Sequence, residues 1–139
     1  MIKTLNDLEV LFPVLAYKTG DKRLYGIEKK DFGFVTKGYG KFYDGLEIID
    51  ITGNVYKIVS WSVYGKSGLL KSIMSLQVLD ELFVEVEPIG VRSIEEVKEF
   101  ILQHIMKHPR VFAPLYDGTP WKERIGQYNS FESLIRLFK

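Results

Sequence analysis

Apolar and polar positions alternate most regularly in the middle of the chain, over residues 42–64, FYDGLEIIDITGNVYKIVSWSVY. Two runs, LEIIDI at 46–51 and VYKIVSWSVY at 55–64, are rich in β-branched and aromatic residues, which suit a pleated, half-buried surface. Thr52-Gly53-Asn54 separates them, and Gly and Asn tolerate the backbone geometry of a tight turn, so the pattern predicts a hairpin. Period-two alternation then sorts the second strand. Val55, Lys57, Val59, Trp61 and Val63 share the face expected to meet the core, with Lys57 near the sheet margin. Asn54, Tyr56, Ile58, Ser60, Ser62 and Tyr64 share the face expected to be exposed or partly covered. Asp44-Gly45 predicts a further turn, with residues 40–43 ending a preceding strand.

Shorter strands are expected at 24–27 and at 31–37 (DFGFVTK), and a clear one at 82–87, LFVEVE. There Leu82, Val84 and Val86 face one way, and Phe83, Glu85 and Glu87 face the other, which predicts one wet face. Pro88 and Gly90 are expected to close that strand.

Spacing near 3.6 predicts helices elsewhere. Thr4 is placed to cap a helix over 5–12, with Leu5, Leu8, Val10 and Leu11 as its apolar positions, and residues 69–76 form a second candidate. The strongest helix is Ile94–Lys107: Ser93 and Glu96 make a capping box, and Ile94, Val97, Phe100, Ile101, His104 and Ile105 form one stripe. Pro109 ends it by disfavouring helical geometry at His108. Thr119-Pro120 reads as an N-cap with proline at the first helical position, starting a helix over 121–125 that Gly126 stops. Ser130 caps a last helix over 131–138, whose Phe131, Leu134, Ile135 and Phe138 share a stripe. The layout is α+β: a mainly antiparallel β-sheet with C-terminal helices packed on one face, in a single domain of residues 1–139.

With 46% hydrophobic and 27% charged residues the chain has the balance of a soluble globular protein, and without cysteine it has neither disulfide nor thiolate chemistry. The first seventeen residues are interrupted by Asn6, Asp7, Glu9 and Pro13, so they read as neither signal peptide nor membrane span, and a cytoplasmic location is expected. The net charge of +1 hides an uneven distribution: +3 over residues 1–43, −5 over 44–99 and +3 over 100–139. An acidic middle argues against a general nucleic-acid binder, which needs a basic stripe.

Motifs of reaction chemistry are weak. Gly65-Lys66-Ser67 ends like a phosphate-binding loop, yet position 60 is Ser where that loop has Gly, and the strand ahead belongs to a hairpin. Gly38 and Gly40 start a dinucleotide fingerprint that Tyr43 breaks. His104 and His108 have the helical spacing of two metal ligands but no third partner in sequence, so no metal is expected. Asp44, Glu47 and Asp50 gather near the hairpin, but nothing in the sequence would separate their pKa values as carboxylate catalysis requires. No catalytic residue and no cofactor are therefore assigned.

The segment 80–99 carries Asp80, Glu81, Glu85, Glu87, Glu95, Glu96 and Glu99 against Arg92 and Lys98, a net −5. Much of this charge is ordinary helix capping and solvation, but Asp80, Glu81, Glu85 and Glu87 around Phe83 also suit an acidic docking surface for a basic partner. The loop PLYDGTPW adds Tyr116, Asp117 and Trp121. Aromatic anchors of this kind are enriched at interfaces, although Trp121 serves equally well as the core contact that pins its helix.

The strand–turn–strand GLEIIDITGNVYKI, the capped helix SIEEVKEFI and the ending NSFESLIRLF resemble the small bacterial immunity proteins that accompany polymorphic toxins, including those of contact-dependent inhibition. The resemblance covers the last two-thirds of the chain. It implies a non-enzymatic cytoplasmic protein that binds a cognate toxin domain; from the charge pattern and the N-terminal sequence, neither nucleic acid nor membrane is expected as a partner. The net charge of +1 departs from the strongly acidic balance expected of an inhibitor of a basic nuclease, so the toxin's chemistry stays open. The alternative from the same residues is a small-molecule-binding or catalytic α+β domain with a pocket between sheet and helices, marked by converging carboxylates or histidines.

Overall fold

A computed structural model describes residues 3–4, 10–36, 38–66 and 79–139. Its strands are β1 (Lys3–Thr4), β2 (Val14–Tyr17), β3 (Tyr25–Ile27), β4 (Phe34–Thr36), β5 (Glu47–Ile49), β6 (Asn54–Lys66) and β7 (Leu79–Val91). The helices follow: α1 (Ile94–Lys107), α2 (Pro109–Phe112), α3 (Trp121–Gly126) and α4 (Phe131–Arg136). Every strand pairing is antiparallel, in the order β1-β7-β6-β5-β2-β3, with β4 also pairing β7. The architecture is α+β, as the sequence predicts, with the sheet curled into a half-barrel.

The sheet has a core on each face. On one side Leu15, Ile49 and Val55, aligned in register across three strands, pack under Val97, Ile101 and Ile105 of α1 and Leu134 and Ile135 of α4. On the other, Ala16, Ile48 and Tyr56 line up beside Ile58, Val84 and Val86. The topology shows what fills this second side. Strand β3 lies at one edge and β4 pairs with β7 near the other, so the connection after β3 crosses the sheet and returns through the 3-10 turn Gly40–Tyr43 to β5. Phe32 and Tyr43 from that crossing meet edge to face at 5.3 Å between ring centroids, and the Tyr43 hydroxyl accepts the Gly33 N–H at 2.7 Å.

The β5–β6 hairpin forms as predicted, and the buried carboxylate of Asp50 holds its turn. Oδ1 accepts from Thr52 N–H at 2.9 Å, Thr52 Oγ1–H at 2.6 Å and Asn54 N–H at 3.1 Å. Gly53 has φ +89°, and a Cβ there would collide with the Arg92 carbonyl oxygen. The expected faces of β6 are corrected. Tyr56 and Ile58 are buried, whereas Lys57 is exposed and Val63 is 56% exposed. Two effects cause this: the crossing segment covers the Tyr56 face, and the register shifts between Ile58 and Ser60, so Trp61 rejoins the side of Ile58.

Other boundaries move as well. Strand β7 continues through Pro88 and Gly90 to Val91, because Pro88 sits at the shift where Val55 pairs Gly90 and Tyr56 pairs Pro88. Residues 40–43 make the 3-10 turn rather than a strand end. Strand β2 is unanticipated. Pro120, not Thr119, occupies the N-cap of α3. Helix α4 stops at Arg136, and Ser130 Oγ caps it by accepting the Ser133 N–H. Helix α1 matches its prediction with both capping-box bonds formed. Of the helix expected over 5–12, residues 10–12 are not helical and the rest lie outside the described residues, as does the helix expected over 69–76. The tail closes onto the start of the sheet: Gly26 N–H donates to the Phe138 carbonyl at 2.9 Å, and Arg136 meets Glu28 at 3.1 Å.

Candidate functional site

The eight residues expected at an interface fall into two clusters on different elements. Phe83, Glu85 and Glu87 lie on β7, opposite the buried Leu82, Val84 and Val86, so the predicted wet face is there. Phe83 is 39% exposed, and Glu81, Glu85 and Glu87 are half-buried; Asp80 pairs Val35 and Lys66 in register. This face continues the helix-covered one. Tyr17, Glu47, Lys57 and Glu87 form a single row across four strands, covered at Tyr17 by the Phe100 ring and open at Lys57. The Tyr17 hydroxyl donates to Glu47 at 3.4 Å, and burial together with that carboxylate pushes its pKa up to about 12.

The second cluster forms around Arg124. Its guanidinium bonds the Leu115 carbonyl, pairs Asp117 at 3.5 Å and stacks over the Trp121 ring at 5.2 Å. Asp117 also accepts the Thr119 N–H at 2.9 Å, and this bond, with Arg124 nearby, holds its carboxyl below the usual range. Trp121 packs against the helix-side core, whereas Tyr116 is 51% exposed with its ring 6.1 Å from that of Trp121. Trp121 is thus primarily a packing residue and Tyr116 the accessible aromatic. Beside them lies a mainly apolar groove of about 550 Å³, lined by Leu102, Met106 and Trp121 with Glu99 at its rim.

The carboxylates near the hairpin do not form an acid–base pair, because each has a separate structural partner. Asp44 accepts the Trp61 indole N–H at 2.5 Å, Glu47 holds Tyr17 from the opposite face, and Asp50 holds the turn. Gly65 and Lys66 belong to β6 and pair with Glu81 and Asp80, a strand setting that no phosphate-binding loop has.

What the sequence reading missed is a basic surface assembled from the two ends of the chain. The β2–β3 loop carries Lys22 and Arg23; the end of α1 and the start of α2 carry Lys107, His108 and Arg110. Three adjoining grooves run along this seam. The first, about 360 Å³, lies between the loop and α1 and includes Tyr17, Phe100, His104 and His108. It shares Lys22, Lys107 and His108 with a second of about 230 Å³, which shares Arg110 with a third of about 460 Å³ that Arg23 and Lys139 also line. The loop is fixed in place. Asp21 accepts from Arg23 N–H and from the Tyr25 hydroxyl, both at 2.9 Å. His104 Nε2 lies 2.7 Å from the Lys22 carbonyl, which only accepts, so Nε2 carries the proton. His108 sits 5.0 Å from His104 between ring centroids, and burial, that ring and the ammonium groups of Lys22 and Lys107 hold it below its ordinary pKa. The signal was present in the +3 charge of each end, but only the fold shows that the two meet.

Among the described residues no group of three or more His, Asp or Glu side chains is placed to hold a metal ion, and no helix is long and apolar enough to cross a membrane. Compared with protein-family models, curated proteins and solved structures, the chain finds no match.

Proposed function

We propose that this chain is a protein-binding domain of the bacterial immunity type, which neutralises a cognate toxin domain in the cytoplasm by direct complex formation. The observation that carries the reading is the wet face of β7, where the partly exposed Phe83 stands between Glu81 and Glu85, with Glu87 next along the strand, on the side of the sheet where Phe100 of α1 covers Tyr17 and Lys57 is open. An apolar anchor within a carboxylate rim is the complement of a basic protein surface, where opposite charge sets on-rate and register. Tyr116 supplies a second anchor on the helical layer.

The test uses the gene's neighbour. The C-terminal domain of the protein encoded beside it is expressed in a bacterium with and without this chain, and survivors are counted. Rescue by the native chain, lost in Glu85→Lys/Glu87→Lys although that variant still melts cooperatively, is the expected result. A neighbour that is toxic but not relieved by the native chain overturns the reading.

The alternative, a small-molecule-binding or catalytic domain, has one specific observation in its favour. Both histidines of the chain converge on a groove between strand β2 and helix α1. Ligand-induced movement of the two histidine ring signals in a fragment screen would support it, and none would remove it.

A further inference from the structure

We propose that the seam from Lys22 through Lys107 and His108 to Arg110 binds a multiply charged phosphate group, carried on a small ligand whose body lies over Phe100. The inference rests on the small-ligand reading of the histidine groove and names its chemistry. Among the described residues, no carboxylate comes within ion-pair distance of the side-chain charges of Lys22, Arg23, Lys107 or Arg110. Four other cations are engaged within the fold: Arg124 and Arg136 pair with carboxylates, Lys139 pairs with Glu28, and Lys18 donates to the Phe42 carbonyl at 3.0 Å. What sets Lys22, Arg23, Lys107 and Arg110 apart from the exposed lysines elsewhere is that they line adjoining grooves along one concave seam.

The seam is held from both sides. The His104–Lys22 bond ties the loop to α1, and Asp21 braces the loop from within. Among the described residues Asp21 is the one acidic side chain lining the first groove, and it is engaged with Arg23 N–H and Tyr25. One carboxylate brings a single negative charge and two oxygens. A phosphate group brings up to two charges and at least three acceptor oxygens, so donors converging from a loop and a helix end can share it. Burial is the first cause of the depressed basicity of His108, and the charges of His104, Lys22 and Lys107 add to it; an anion placed among them relieves that second part. The first groove, at about 360 Å³ with Phe100 and Tyr17 along it, has room for the rest of a small ligand.

The chain has two histidines and both line this groove, so their ring NMR signals report on it directly. The probes are inorganic tripolyphosphate, citrate, vesicles containing a phosphoinositide, and a panel of neutral aromatic fragments, at an ionic strength of about 0.15 M. The expected result is that tripolyphosphate shifts both rings and raises the pKa of His108. Affinity should fall roughly tenfold in Lys107→Gln/Arg110→Gln, the loss of charge-assisted hydrogen bonds. It should stay unchanged in Lys29→Gln/Lys30→Gln, which removes two exposed charges elsewhere. Binding to the vesicles alone, with the same dependence on the variants, equally supports a phosphate site and assigns it to a lipid headgroup. Citrate binding as tightly as tripolyphosphate, or an equal loss in both variants, overturns the phosphate assignment. If only neutral fragments move the rings, the phosphate assignment fails and the small-ligand reading stands; if no probe does, both fail.

Discussion

Asp50 is completely buried, and its carboxylate is the acceptor for the whole β5–β6 turn, with the Leu11 N–H a further neighbour at 3.4 Å. Replacing it by alanine leaves the Thr52 and Asn54 N–H groups without their acceptor. Asp50→Ala is therefore expected to cost about 2–4 kcal/mol in urea unfolding, and Asp50→Asn, which keeps an acceptor oxygen, clearly less. Gly53 is equally constrained, because φ +89° and the Arg92 carbonyl both exclude a side chain. The residue scale also sets an alkaline limit. Burial, with Glu47 beside Tyr17 and Asp21 beside Tyr25, pushes both phenols up to about 12, from 10 in the unfolded chain. Folded pKa values above the unfolded value mean that this stabilisation is complete below pH 10 and is lost between pH 10 and about 12. The urea midpoint should fall across that window, and Tyr17→Phe should flatten the fall.

At the scale of elements, legibility follows how local the information is. Helix α1 could be read to its first and last residue because Ser93, Glu96 and Pro109 act within one turn of its ends. The capping box predicts that Ser93→Ala costs about 1 kcal/mol by thermal melting. Glu96 accepts the Ser93 N–H, which lowers its pKa, so the contribution of that bond is present at neutral pH and is lost as pH falls through the acidic range. Strand β6 was read to within two residues at each end and its Val55 is in the core as expected, but the faces assigned to the residues after it were wrong. Its face depends on the shift between Ile58 and Ser60 and on Phe32 and Tyr43 crossing behind it, and neither is encoded in the alternation of β6 itself. Strand β2, VLAY, is too short to show a period, and only pairing with β3 and β5 defines it. The acidic face of β7 was legible because Phe83, Glu85 and Glu87 belong to one strand. The basic seam was not, because Lys22 and Arg23 lie far in sequence from Lys107 and Arg110.

For the whole molecule, the fold gathers charges that lie apart in sequence: Lys22 and Arg23 of the β2–β3 loop meet Lys107, His108 and Arg110 at the end of α1, while Glu81, Glu85 and Glu87 stand along β7. A net charge of +1 is thus a poor description of what a partner meets. The C-terminal segment contributes as much as any central element. Leu134, Ile135 and Phe138 are buried beside Leu15, Leu24 and Phe112, and burial of three such side chains is worth about 5–9 kcal/mol, comparable with the total stability of a domain. A chain ending at Asn129 is expected to lose its near-UV circular dichroism and its cooperative melt at 25 °C, rather than to fold with a frayed end. A sharp melt in that truncated chain would contradict this account.

The clasp between Gly26 and Phe138 also has a consequence in time. A Cβ on Gly26 would lie 2.5 Å from the Ile135 carbonyl oxygen, so main chain packs on main chain there, and the neighbouring Arg136–Glu28 contact spans 108 positions of sequence. Contacts that join such distant segments require a large loop to close, and they slow folding. During synthesis, the helix-side core stays open over Leu15 and Leu24 until residues 131–138 have emerged. Docking of the segment closes that loop and completes the core, so weakening it with Ile135→Val should slow folding as well as accelerate unfolding.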